Sequence, residues 1–284
     1  MRIAVIGAEG QLGSEIVAKA FALGHTVIPF SHTGASPHLD VEDMEWVTEV
    51  FNQHRPEVVI NTAALHSIEA CEVAPDLALR VNALGARNVA LVCAEIGALC
   101  VYISTDYVFG GRPPADGKVF WSNETPAPVN IYGWSKALGE HFVLGTRTGA
   151  IVRTAYLFGK NGAKQKGGNF VDKTLARLGQ GDIGSYYSDV MISPTYARDA
   201  AEMILRVLRP GIYHAVNWGT TSVHEYVAAI AKLTGYQVEF PSITRCERPD
   251  LLRPRFTPLM PTFIEARPWR EALTAYLKET DRLA

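Results

Sequence analysis

Short runs of aliphatic and β-branched residues recur along the chain, separated by longer stretches of helical period. Apolar runs without polar alternation mark strands buried on both faces. They fall at residues 2–6, 25–30, 57–61, 99–103, 150–154 and 212–216. Helical period predicts helices at about 14–23, ended by Gly24, and then at 44–53, 75–96 and 132–144. The last follows Pro126-Ala127-Pro128, with Asn130 placed as its cap. Further helices are expected from Asn169 to about 178, at 196–208, at 223–233 with Ser222 as cap, and at 269–278. Strands alternating with helices predict an α/β fold: a doubly wound parallel (Rossmann) sheet with right-handed crossovers and a smaller C-terminal domain.

In such sheets the chemistry collects at the carboxyl ends of the strands. The first strand runs into Gly7-Ala8-Glu9-Gly10-Gln11-Leu12-Gly13 and a helix. Gly7 permits a tight turn, Gly10 lets backbone approach a pyrophosphate, and Gly13 allows close helix packing, so this context predicts a dinucleotide site. After the second strand come Ser31 and His32. An acidic residue here would bind the ribose hydroxyls of NAD, and none is present, so NADP(H) is favoured with NAD(H) still admissible. Small residues Ala63 and Ala64 end the third strand, where backbone can lie along a cofactor. Thr105 ends the fourth. Tyr132 and Lys136 stand four apart, one above the other on a helix. A phenol beside an ammonium can serve as a general acid, since the positive charge favours the phenolate left behind.

Composition narrows the picture. A chain of 284 residues can bury a full core, and 48% hydrophobic with 20% charged residues is ordinary for a globular protein. With 27 basic and 29 acidic residues the net charge is −2, so no partner among nucleic acids or anionic membranes is expected. Cys71, Cys93, Cys100 and Cys246 lack metal-ligand spacing, no metal is expected, and Cys93 and Cys100 read as buried thiols. Met1-Arg2 leads directly into a strand and no apolar run reads as a membrane span, so a cytoplasmic protein is expected. The loop at 110–128, rich in Gly and Pro, is expected on the surface, and the polar stretch at 160–168 as a loop.

Taken together, Ser104-Thr105-Asp106-Tyr107-Val108-Phe109, Tyr132-Gly133-Trp134-Ser135-Lys136, Arg153-Thr154 and the Arg-Pro-Trp-Arg-Glu-Ala-Leu run from Arg267 resemble the extended short-chain dehydrogenase/reductases. In detail they resemble the dTDP-4-dehydrorhamnose reductases, over nearly the whole chain. That resemblance implies hydride reduction of a 4-keto sugar nucleotide, with Tyr132 as proton donor, Lys136 on the nicotinamide ribose and Thr105 on the carbonyl oxygen. It implies that Asp40 and Val41 touch adenine, although an Asp before a helix also serves as a cap. It places His66, Asp106, Tyr107, Tyr156, Asn169 and Arg253 on the substrate side, and Asn82 behind the site. Residues 1–155 would form the dinucleotide-binding domain and 156–284 mainly the substrate domain, with a segment near 195–217 returning to the sheet. A homodimer is compatible with it.

Three departures keep other readings open. Val190 and Ile192 stand where the family carries Gln and Gly, and Glu69 where an Asp is more usual. Related dehydratases carry a Glu after the Thr-Asp pair, whereas this chain has Tyr107, which argues against elimination of water. Another sugar-nucleotide reductase or epimerase, or a non-catalytic NADP-binding subunit resembling the methionine adenosyltransferase partner, remains an alternative.

Overall fold

A computed structural model of the chain describes residues 1–161, 167–207, 209–244 and 253–284. Six strands form one sheet: β1 Arg2–Ile6, β2 Thr26–Phe30, β3 Val58–Asn61, β4 Leu99–Thr105, β5 Gly149–Thr154 and β6 Gly211–His214. Their order is β6-β5-β4-β3-β1-β2, and every pair is parallel. From β1 the chain first moves to one side and then to the other, so the crevice where ligands bind in such sheets opens at the end of β1.

Both faces of the sheet are covered, which is why its strands read as unbroken apolar runs. Ile3 and Val5 pack toward α1 (Gln11–Ala22) and the helix Ala197–Ile204, with Val101, Val152 and Ala201. Ala4 and Ile6 pack on the opposite face with Phe51, Val89 and Tyr102, beneath α2 (Met44–His54) and the helix Pro75–Ile96. A third cluster lies beyond the sheet and is rich in aromatics: Phe158, Tyr196, Tyr226, Trp269 and Tyr276. Phe158 and Tyr196 stack there at 5.5 Å between centroids.

Several expectations need adjustment. The first helix starts at Gln11, three residues before the apolar period, because it springs directly from the glycine turn. The helix Ile68–Val73, capped by Ser67, has no counterpart among the expected elements; its six residues are too few to show a period. The helix at 75–96 passes through a π-turn at Arg80–Leu84, which carries Asn82 inward. By length and composition this helix could cross a membrane, contrary to the sequence expectation, yet here Val89, Ala90 and Val92 are buried against the sheet. The loop at 110–128 is not purely superficial: Phe120 is buried and stacks on Phe109 at 4.2 Å. The helix expected at 196–208 ends at Ile204. Cys246 and most of the stretch at 160–168 lie outside the described residues.

Candidate active site

The glycine turn is set by backbone geometry. Gly7 has φ +78°, which favours glycine, and the N–H groups of Gly7 and Ala8 both donate to the Phe30 carbonyl. A Cβ on Gly13 would lie 2.1 Å from the Gly7 carbonyl oxygen, so only glycine lets α1 pack so closely. Gly10 is exposed at the mouth, and no acidic residue occupies the first turn of α1, leaving its N-terminus free to receive an anion. One buried polar atom in this region, Gln11 Nε2, finds no protein partner among the described residues. An orphaned polar atom beside a helix N-terminus fits a polar dinucleotide.

At the end of β2, Ser31 is buried, its backbone N–H bonded to the Pro37 carbonyl. His32 is exposed, with Nδ1 3.8 Å from the Asp40 carboxylate. Asp40 also accepts from the Glu42 N–H at 2.9 Å, while the cap of α2 is Asp43 rather than Asp40. Val41 is buried against Gly85. Leu12 is buried under α1, and Ala63 and Ala64 line the short loop after β3.

The three residues picked for catalysis converge. Thr105 closes β4, and the helix Ile131–Leu144 begins with Asn130 accepting from the Gly133 N–H at 2.7 Å. The Thr105 side chain lies beside Tyr132, and its hydroxyl donates to the Asp106 carboxylate at 3.0 Å. Burial raises the Tyr132 pKa well above the ordinary phenol value, the neighbouring Thr105 hydroxyl opposes this, and the Asp106 charge adds to it. Lys136 is 2% exposed, donates to the Ile103 carbonyl at 2.6 Å and lies 3.9 Å above the Tyr102 ring. Burial lowers its pKa to about 7, against the pull of Glu140.

Behind this trio lies a network, of which the sequence pointed to Asn82 and not to the Glu140–Arg153 pair. Glu140, one turn beyond Lys136, takes both forks of Arg153 at 2.9 and 2.8 Å and accepts from Ser104 at 2.5 Å. Arg153 continues to the Ser122 carbonyl at 3.1 Å and to His214 at 3.4 Å. Burial and the Arg153 charge push the His214 pKa down to about 3, so its ring is neutral. Asn82 brackets Leu65, accepting from its N–H and donating to its carbonyl, both at 2.9 Å, and it also donates to Ser135. It thus ties the loop carrying His66 to the helix carrying Tyr132.

On the outer side, Asp106, Tyr107 and Arg253 come together. Asp106 is buried, accepting from Thr257 at 2.6 Å and Thr105 at 3.0 Å; burial still raises its pKa to about 6. Burial raises Tyr107 to about 12, offset in part by the charge of Arg253, which pairs with Glu69 at 3.1 Å. The Tyr107 and Tyr132 rings meet edge to face at 6.0 Å. Tyr156 has φ +42° and packs on Phe170 and Tyr226; the charges of Arg253 and Asp106 reach it. His66 is half-buried in the loop before Ile68. Asn169 stands apart: it caps the helix Phe170–Gly179 and donates to the Gly159 carbonyl and the Tyr276 hydroxyl. Val190 packs with the aromatic cluster, and buried Ile192 pairs with Thr221. Arg255 pairs with Asp189.

Comparison with known proteins agrees with this geometry. A family model described as "RmlD substrate binding domain" matches residues 1–282. The chain is 35% identical to the spore coat polysaccharide biosynthesis protein SpsK of Bacillus subtilis, covering 98% of this chain and 97% of that one. A crystal structure of a dTDP-4-dehydrorhamnose reductase from Clostridium acetobutylicum superimposes with TM-score 0.88 at 32% identity, covering 99% of this chain and 100% of the other. That of the Bacillus anthracis dTDP-4-dehydrorhamnose reductase, in complex with NADP, gives 0.87 at 33% identity, covering 98% and 99%.

Proposed function

This chain belongs to the RmlD family, the dTDP-4-dehydrorhamnose reductase group of the extended short-chain dehydrogenase/reductases, and on that premise we propose the reaction its site performs. It is an NAD(P)H-dependent oxidoreductase that reduces the 4-keto group of a nucleotide-activated 6-deoxy sugar, dTDP-4-dehydrorhamnose being the leading candidate. NADP(H) is the favoured dinucleotide, in line with the complex formed by the Bacillus anthracis relative. The turn from Gly7 to Gly13 and the N-terminus of α1 would hold its pyrophosphate. When bound, the dinucleotide supplies a hydride.

The protein's own share is positioning and proton delivery. Tyr132 gives its proton to the oxygen of the substrate carbonyl as negative charge gathers there. A phenol raised by burial can still do so, because the alkoxide it protonates is more basic than a phenolate. Thr105, beside Tyr132, turns its hydroxyl from Asp106 to the same oxygen and steadies the developing charge. Lys136 works from below, its buried ammonium anchored on the Ile103 carbonyl and directed to the ribose. Asp106, Tyr107, His66, Tyr156 and Arg253 form the wall that meets the sugar nucleotide, whereas Asn169 serves by fixing the helix it caps. We assign residues 1–155 to the cofactor half and the remainder to the substrate half. The pairing of β6 with β5 supports a return of the chain to the sheet near 195–217.

The observation that supports this reading is the meeting of Thr105, at the carboxyl end of β4, with the helix that carries Tyr132 and the buried Lys136. Its test is the loss of NADPH absorbance with a panel of 4-keto-6-deoxy sugar nucleotides. Turnover of at least one is expected. Tight NADPH binding with no turnover of any would favour a regulatory subunit instead.

A further inference from the structure

We propose that Glu9 sets the balance between phosphorylated and unphosphorylated dinucleotides, its carboxylate standing across the crevice that must receive the adenosine ribose. The inference rests on the dinucleotide reading above and goes beyond it. Glu9 belongs to the glycine turn, yet its side chain reaches across to the loop after β2, where Oε1 accepts the Ser36 N–H at 2.7 Å. The same carboxyl group lies over Gly34, where a Cβ would come within 2.2 Å of Oε2, so glycine there gives it room. In this fold the ribose of the adenosine half lies between the first turn and the end of the second strand, and an acidic side chain there accepts its 2′-hydroxyl. Strand β2 ends without such an acid, and Glu9 brings one in from the opposite wall.

The electrostatics of the crevice point the same way. From Ser31 to Asp40 there is no Lys or Arg, and among the described residues the titratable side chains seen at this loop are His32, His38, Asp40 and Glu9. A 2′-phosphate would enter beside a fixed carboxylate with no guanidinium or ammonium of this loop to meet it. An unphosphorylated 2′-hydroxyl would gain a hydrogen bond at the same point. Glu9 therefore restrains selectivity for NADPH, and NADH remains a competent cofactor.

The test is Glu9→Gln, in the full-length protein, with Kd for NADPH and NADH measured by calorimetry. The amide keeps an acceptor for the Ser36 N–H and removes only the charge. Relief of one charge near a phosphate dianion should improve the NADPH-to-NADH affinity ratio by roughly tenfold. Glu9→Lys should improve it further. Parallel changes for both dinucleotides, or none, would overturn the assignment. Failure of the wild type to bind either dinucleotide would instead overturn the cofactor reading and the proposal with it.

Discussion

Replacing Glu140 by Gln tests how far the buried ion pair behind the site governs both stability and catalysis. Arg153 is 1% exposed and Glu140 2%, and two of the guanidinium's bonds run to this carboxylate. The substituted amide retains one acceptor but leaves the Arg153 charge buried without its counter-ion. Breaking such a pair costs about 3–5 kcal/mol, and the surviving bonds to Ser122 and His214 favour the lower part of that range. Against a typical total stability of about 5–15 kcal/mol, the variant should still fold, melting roughly 6–12 °C lower. The double variant Glu140→Gln with Arg153→Met removes both charges and should recover most of the loss in chemical denaturation. Catalysis adds a second readout. Glu140 is the charge that opposes the lowering of Lys136 by burial, so without it the Lys136 pKa falls below about 7. The alkaline limb of kcat against pH should move to lower pH in Glu140→Gln. Strictly additive stability changes, together with an unmoved alkaline limb, would refute the reasoning.

Two further outcomes follow from the site. Gly10→Ala puts a Cβ 3.2 Å from the Gly7 carbonyl oxygen, tight but tolerable, at the exposed mouth of the turn. Calorimetry should show NADPH affinity reduced at least about tenfold while the melting temperature stays within a few degrees, because the new methyl group meets the pyrophosphate. Asp106 has a folded pKa of about 6, above its ordinary 3.8, so it contributes stability fully present below 3.8 and lost as pH rises through 6. Asp106→Asn abolishes that loss. Urea unfolding should therefore show the variant gaining on wild type by about 2–3 kcal/mol between pH 4 and pH 7, against the opposite contribution of His214, which is common to both proteins.

What could be read from the sequence were features set by short spacing. The four-residue interval from Tyr132 to Lys136, the turn from Gly7 to Gly13, and the caps Asn130 and Ser222 are local, and the structure has them. The network behind the site is not local. Glu140 meets Arg153 across 13 residues, Arg153 meets His214 across 61, and Thr257 meets Asp106 across 151. No periodicity links such partners, because it is the parallel crossovers that bring them together. Asn169 shows the converse. Its place in a familiar motif suggests a substrate contact, but its amide is committed to Gly159, Asp172 and Tyr276. Glu9 escapes a sequence reading because the acid of such sites is expected at the end of the second strand, whereas this one crosses from the facing turn.

The central claim is that Tyr132 delivers the proton and Lys136 serves the ribose. The most direct measurement compares Tyr132→Phe with Lys136→Met on a verified 4-keto sugar nucleotide, recording kcat together with the Kd for NADPH. Tyr132→Phe should lose about 10²–10⁴-fold in kcat with NADPH affinity unchanged, the usual contribution of a general acid. Lys136→Met should lose both rate and NADPH affinity. Full activity in Tyr132→Phe would contradict the account.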